Sequence, residues 1–249
     1  HPPALQSTAV TALVGTARPE IASLLLKRFP NLTPSVQAEI IDQLLQRTIW
    51  IPEVLDAVAA KTVPARLIAP NLRAAYMKSS SQAVQQRATQ VFANDLPSSR
   101  SEVLAKYQVA LALDGSPQRG AEIFRKNCQS CHRFNEQGFE VGPNLATIQN
   151  RTGGQLLVNI LDPSREVSPE FLEYIALSTD GRVISGMIAA ENVNSITLRQ
   201  AEGVETTIQR SDIETLRSSG KSLMPEAIET SITPPQMADL ISYLLSLGK

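Results

Sequence analysis

The stretch Gly120-Ala-Glu-Ile-Phe124-Arg-Lys-Asn-Cys128-Gln-Ser-Cys131-His132 decides how the rest of the chain is read. Cys128, Cys131 and His132 spell C-x-x-C-H, the attachment signal for a c-type haem. Two thiols one helical turn apart can add across the two vinyl groups of one porphyrin. The imidazole that follows then lies under the macrocycle, where it can bind iron. Three other readings compete. A zinc site needs four nitrogen or sulfur ligands, and the chain has no third cysteine and only one other histidine, His1. A thioredoxin-like redox pair needs a βαβ pattern, which does not surround this motif. The third is coincidence, with two ordinary buried cysteines, and the flanking residues weigh against it.

Gly120, Phe124, the C-x-x-C-H motif and then Gly142-Pro143-Asn144-Leu145 together resemble class I cytochrome c. In that family the proline carbonyl of G-P-x-L accepts a hydrogen bond from the proximal histidine, which fixes the imidazole tautomer and raises its basicity. The resemblance therefore implies Pro143 as acceptor for His132, with Leu145 packed on the haem face. It also implies Arg151 near a haem propionate, although Arg151 reads equally well as a solvated surface charge.

A sixth ligand must come from elsewhere in the chain. His1 lies far off at the start, so a second histidine ligand is not expected, and four methionines remain. Met237 sits with Leu240, Ile241 and Leu244 at helical spacing and reads as core. Met77 belongs to a distant helical half. Met187, in the alternating run from Val183 to Ile188, reads as a packing residue. Met224 in Ser222-Leu-Met-Pro225 is different, because it follows a Gly-Lys-Ser loop and precedes a proline that locks the next φ. The final helix begins about ten residues later, where class I cytochromes carry their axial methionine. The metal ligands expected are thus His132 and Met224, a pair that raises the reduction potential compared with harder ligand sets.

At 249 residues the chain has room for two domains. Its 43% hydrophobic and 19% charged residues describe an ordinary soluble globular protein. A net charge of −1 supplies no basic field, so nucleic acid is not an expected partner. No apolar run is long enough to span a membrane, and the opening His1-Pro-Pro lacks the basic start and apolar core of a signal peptide. Haem c is attached outside the cytoplasm in bacteria. An extracytoplasmic, periplasmic location is therefore expected, with a signal removed or with this chain as a piece of a longer one.

Residues 1–113 read as consecutive amphipathic helices. The apolar spacing predicts Leu5 to Leu13, then Glu20 to Phe29 behind Pro19, then a helix capped at Thr33-Pro34-Ser35 with Val36, Ile40, Ile41, Leu44 and Leu45 on one stripe. Further helices are predicted near 52–61, 65–78, 81–94 and 99–113. Short turns and paired lengths suggest an α-solenoid of the HEAT type, with an irregular α-bundle as the alternative. Trp50 reads as a packing aromatic, and Arg66, Arg73 and Arg87 as solvated charges or as part of a partner surface.

Asp114-Gly-Ser-Pro117 reads as the linker to a second domain over 117–249. That domain is expected to open with a helix over 117–131, whose Gly120 and Phe124 meet Leu240 and Tyr243 of the last helix. A short helix is expected over Gln155 to Leu161. Beyond Phe171 the period switches to alternation. The turn signals Asp180-Gly181 and Ala201-Glu-Gly203 predict a small antiparallel insertion of four runs over about 171–210. Ser211-Asp-Ile-Glu214 reads as a turn of helix. The fold expected is mainly α: a HEAT-like helical domain, then a class I cytochrome c fold carrying the β insertion.

The second half as a whole resembles the haem-binding domain of the Pirellula/Verrucomicrobium type found in planctomycete and related bacteria. The likeness rests on the residues quoted above together with Ile160-Leu-Asp-Pro163, Asp180-Gly-Arg182, Gly186, Ser222-Leu-Met224-Pro225 and Ala238-Asp-Leu-Ile-Ser-Tyr-Leu. Members of that family often carry a HEAT-like region ahead of the haem domain. Many are fused to a β-propeller resembling dehydrogenases that use pyrroloquinoline quinone, and no propeller is present here. The resemblance implies one covalent haem c per chain and single-electron transfer. The expected electron source is a redox partner or a fused dehydrogenase domain. A haem enzyme or ligand sensor with a labile distal methionine is the alternative.

Overall fold

The computed structural model describes residues 3–92, 100–134, 136–147, 151–165 and 167–246. Two compact units make up the chain: His1–Leu96 with Ala190–Ile196, and Pro97–Ala189 with Thr197–Lys249. His1 and the junction of the two helices expected near 81–94 and 99–113 lie outside the described residues.

The first unit holds α1 (Pro3–Gly15), α2 (Glu20–Arg28), α3 (Pro34–Leu45), α4 (Ile51–Ala59), α5 (Pro70–Met77) and α6 (Gln82–Phe92). Prolines stand in the first turns of α3, α4 and α5, where their missing N–H costs nothing. The single helix expected over 65–78 is instead a 3-10 turn, Ala65–Leu67, followed by α5. Pro70 explains the break: it forces Ala69 out of the helical region, to φ −54° and ψ 140°. The stripe Val36, Ile40, Ile41 and Leu44 is fully buried, as is Trp50. The guanidinium of Arg47 lies 5.5 Å from the centre of the Trp50 ring. Arg87 pairs with Asp56 at 2.8 Å.

The second unit begins with α7 (Ser101–Tyr107), which packs against the last two helices of the unit. The Tyr107 hydroxyl donates to the carbonyl of Ile232 at 2.5 Å, and the ring joins the core of this unit. Next comes α8 (Pro117–Asn127), started by Ser116, whose hydroxyl accepts from the Arg119 N–H. It ends at Asn127, four residues before the end expected, so the two cysteines sit on a turn beyond the helix. α9 (Gly153–Leu161) and α10 (Pro234–Leu245) complete the helices, and each opens with a capping box, Thr152 with Gln155 and Thr233 with Gln236.

α8 and α10 cross at Gly120. A Cβ there would lie 2.6 Å from the Cβ of Tyr243 and closer still to the carbonyl oxygen of Asp239. Below the crossing, the rings of Phe124, Phe134 and Tyr243 meet with centroids 5.1–5.8 Å apart, a spacing that favours tilted and edge-on pairs. Leu240 joins the same cluster. The expected linker is tied to α10 as well. Asp239, 5% exposed, accepts from the Ser116 N–H at 2.7 Å and from Nε and Nη2 of Arg119 at 2.8 and 2.7 Å.

Between α9 and α10 lies an antiparallel sheet of β1 (Leu172–Ser178), β2 (Val183–Glu191), β3 (Ser195–Arg199), β4 (Glu205–Gln209) and β5 (Ile213–Ser222), in the order β4-β3-β2-β1-β5. The turn at Asp180-Gly181 joins β1 to β2 as expected, with Gly181 at φ +84°. The fifth strand is a correction to the sequence reading. The residues after Ser211 continue from a 3-10 turn, Arg210–Asp212, into β5, and Gly220-Lys-Ser222 is the end of that strand rather than a loop. Two register shifts where β5 pairs with β1 account for the weak signal, since they break the two-residue alternation.

Two consequences can be measured. Alanine at Gly120 gains about 1 kcal/mol of helix propensity but overpacks a backbone contact, which costs about 1–3 kcal/mol or more. Gly120→Ala should therefore lower the melting temperature, and an unchanged or higher value would sink the close-crossing argument. Asp239 is held below the usual carboxylate range, chiefly by its hydrogen bonds from Arg119. Its contribution is present above the unfolded pKa and lost as pH falls through the folded one. The stability gap between wild type and Asp239→Asn, read by urea unfolding, should close as pH drops below about 4.

Candidate functional site

The C-x-x-C-H segment is a tight turn added to the end of α8. The N–H groups of Cys131 and His132 both donate to the carbonyl of Cys128, at 3.1 and 2.9 Å. The next loop folds back beneath it, and the N–H groups of Val141 and Gly142 donate to the carbonyl of Cys131 at 3.0 and 2.7 Å. That return brings Pro143 to His132, whose Nδ1 lies 3.0 Å from the Pro143 carbonyl oxygen. A carbonyl can only accept, so Nδ1 carries the proton and donates. Nε2 is then the nitrogen free to bind a metal. Gly142 makes this approach possible, since a Cβ there would stand 2.5 Å from Cε1 and 2.9 Å from Nδ1 of His132.

Burial holds the His132 imidazole below its ordinary pKa, while the Pro143 bond pulls the other way. The net effect favours the neutral ring that a metal ligand requires. The Cys128 thiol is pushed up to about 12, first by burial and then by the neighbouring Cys131. No disulfide joins the two cysteines.

His132 opens into a cavity of about 250 Å³. Of the residues singled out in the sequence, Cys131, His132, Pro143, Leu145, Arg151 and Met224 line it. Cys128 is not part of the lining and packs against the core of the unit instead. Arg151 is exposed at this lining. Met237 is fully buried in the core, as its helical spacing predicts, and Met77 lies on α5 of the first unit.

The sheet supplies lining that the sequence did not announce. Met187, 8% exposed on β2, reaches the cavity. So do Phe171 before β1, and Ser222 and Leu223 at the end of β5. The alternating pattern around Met187 marks a packed strand, and nothing in it says what the strand packs against. The sheet also touches the attachment turn itself. Glu202, held at φ +59° in the turn between β3 and β4, donates its N–H to the Ser130 carbonyl at 2.6 Å. Asp162 is a further lining residue that periodicity hides, because it follows the last turn of α9.

An imidazole with one free nitrogen, two free thiols on its own turn and a thioether lining the same cavity form a donor set that fits haem c. Residues 117–168 match the family model of cytochrome c. The match supports reading this part of the chain as a c-type cytochrome domain. The match implies a covalently bound haem c, and Cys128 and Cys131 are present for its attachment. Bound there, the haem supplies a one-electron Fe(III)/Fe(II) couple. The family supports a haem-based electron-transfer role for the domain. No helix among the described residues is long and apolar enough to cross a membrane.

The Gly142–His132 contact predicts a specific defect. Gly142→Ala should keep both thioether bonds, visible as an unchanged porphyrin increment in the intact mass. It should also displace the imidazole from Pro143 and weaken iron coordination by about 10–100-fold. The measurement is the appearance of a high-spin ferric spectrum that binds cyanide. A wild-type spectrum would show that the ring has room to accommodate the methyl group.

Proposed function

We propose that the chain is a mono-haem electron carrier in which His132 and Met224 are the two axial ligands and Cys128 and Cys131 the thioether anchors. The observation that carries this reading is that His132, with Nδ1 already engaged, and Met224 line the same cavity. With strong ligands on both faces the iron changes little in geometry between its oxidation states, so electron transfer needs little rearrangement. Leu145 and Arg151 line the same cavity, where Leu145 would pack on the haem face and Arg151 would meet its propionates.

In this reading a helical domain over 1–113, of HEAT-like character, precedes a haem domain over 117–249, and α7 packs on the latter. The helical domain positions an electron donor, a dehydrogenase of the pyrroloquinoline-quinone type, and the module works outside the cytoplasm. Repeat helices without catalytic groups suit that docking role. A transient redox contact needs only a small interface.

Absorption spectroscopy of single variants tests the ligand assignment. The wild type should be low-spin, with the far-red iron–sulfur charge-transfer band. Met224→Ala should lose that band, whereas Met187→Ala, which removes the other thioether of the cavity, should keep it. Persistence of the band in Met224→Ala would overturn the assignment. A high-spin wild-type ferric form that binds cyanide at once would favour a haem enzyme or ligand sensor.

A further inference from the structure

The cavity contains an acid without a counterpart. Asp162 is 6% exposed, lines the cavity, and its Oδ2 is buried with no hydrogen-bond partner. A buried carboxylate in that position is costly unless something positive balances it. Its own helix does not help. Asp162 caps the C-terminus of α9, its N–H donating to the Val158 carbonyl at 2.8 Å, and that end of a helix carries partial negative charge.

Among the described residues, the neighbouring cations leave the Asp162 Oδ2 without a partner. Arg100 donates to the Leu161 carbonyl and pairs with Glu229. Lys221 pairs with Glu226 at 3.2 Å. Arg165 meets Asp162 only through its backbone, with its N–H on the Asp162 carbonyl oxygen at 3.1 Å. Arg151 belongs to the exposed part of the lining. The charge that can answer Asp162 is therefore the group the cavity receives. The core of a ferric porphyrin, two pyrrole anions around Fe(III), is net positive, and the ferrous core is neutral.

Resting on the haem c reading, we propose that the Asp162 carboxylate lowers the reduction potential of the haem. Its carboxylate has an opposite charge to face in the ferric state and none in the ferrous state. The step concerned is one electron in, from the redox partner, converting Fe(III) to Fe(II), with no bond made or broken and no proton moved. The low-dielectric wall of Leu156, Ile160, Val167 and Phe171 leaves this interaction less screened than one at the surface. Asp162 thus biases the direction of transfer without ligating iron.

Spectroelectrochemical titration of the haem-loaded protein at one neutral pH tests the proposal. Asp162→Asn keeps the shape and removes the charge. It should raise the ferrous-to-ferric ratio at a fixed ambient potential about tenfold, an upward midpoint shift of about 59 mV for one electron. Asp162→Glu, which keeps the charge, should stay within about twofold of wild type. A change below about twofold in Asp162→Asn, a downward shift, or a Glu variant that follows the Asn variant would overturn it.

If Asp162→Asn did not acquire haem, infrared spectra of the ferric wild type labelled with ¹³C-aspartate would decide. Asp162 and Asp239 are the buried aspartates among the described residues, and Arg119 holds Asp239 ionised. A protonated aspartic band in the ferric protein would then belong to Asp162 and defeat the proposal, and its absence would support it. Failure of the underlying haem reading looks different: the wild type itself would lack the porphyrin mass increment.

Discussion

An imidazole has two nitrogens, and the site depends on committing one of them to the protein. Once the Nδ1–H of His132 is given to the Pro143 carbonyl, Nε2 is the nitrogen left to the cavity that the ring lines. That single bond requires a loop that returns to its starting point. The N–H groups of Val141 and Gly142 close it by converging on the Cys131 carbonyl. It also requires a residue without a side chain at 142, because the backbone runs against the face of the ring. The wider packing serves the same end. Phe134, which follows the attachment turn by two residues, is locked between Phe124 of α8 and Tyr243 of α10. The helix crossing at Gly120 therefore holds the turn that carries His132.

What the sequence made legible follows from how local each signal is. The attachment turn, the Pro143 acceptor and the Gly120 crossing were readable because each rests on a residue type that few others can replace at a fixed spacing. Proline and capping residues marked most helix starts for the same reason. The break at Pro70 and the early end of α8 are local as well, but there a backbone constraint opposes a continuing apolar pattern, and the constraint prevails. β5 was not legible. Its pairing to β1 is irregular at two points, and strand identity there comes from a partner some forty residues away in sequence. The lining residues Met187 and Asp162 were hidden for a related reason. Which face of a strand or helix end meets a cavity is a tertiary fact, and periodicity carries no record of it.

The sheet changes how the domain should be understood. A β insertion placed on a minimal haem fold would be expected to hang from its surface. Here its last strand ends at Ser222, two residues before Met224, and its β3–β4 turn bonds to Ser130 between the two cysteines. One sheet therefore reaches both the turn that attaches the haem and the loop that offers the thioether. Backbone hydrogen bonds across β1 and β5 fix where the methionine loop begins. Hydrogen bonds from the Ser222 N–H to the Ser164 hydroxyl, and from that hydroxyl to Glu226, tie the same loop to the segment after α9.

This arrangement bears on the function of the cavity wall. A surface loop carrying a methionine can swing away from iron at little cost, because only water replaces its contacts. A loop clamped between a sheet edge and a helix end must break several backbone and side-chain hydrogen bonds to do so, each worth about 0.5–1.5 kcal/mol. In the proposed reading, retention of the methionine is thus a result of one structural choice, which is to start the loop that carries it at the end of a sheet strand.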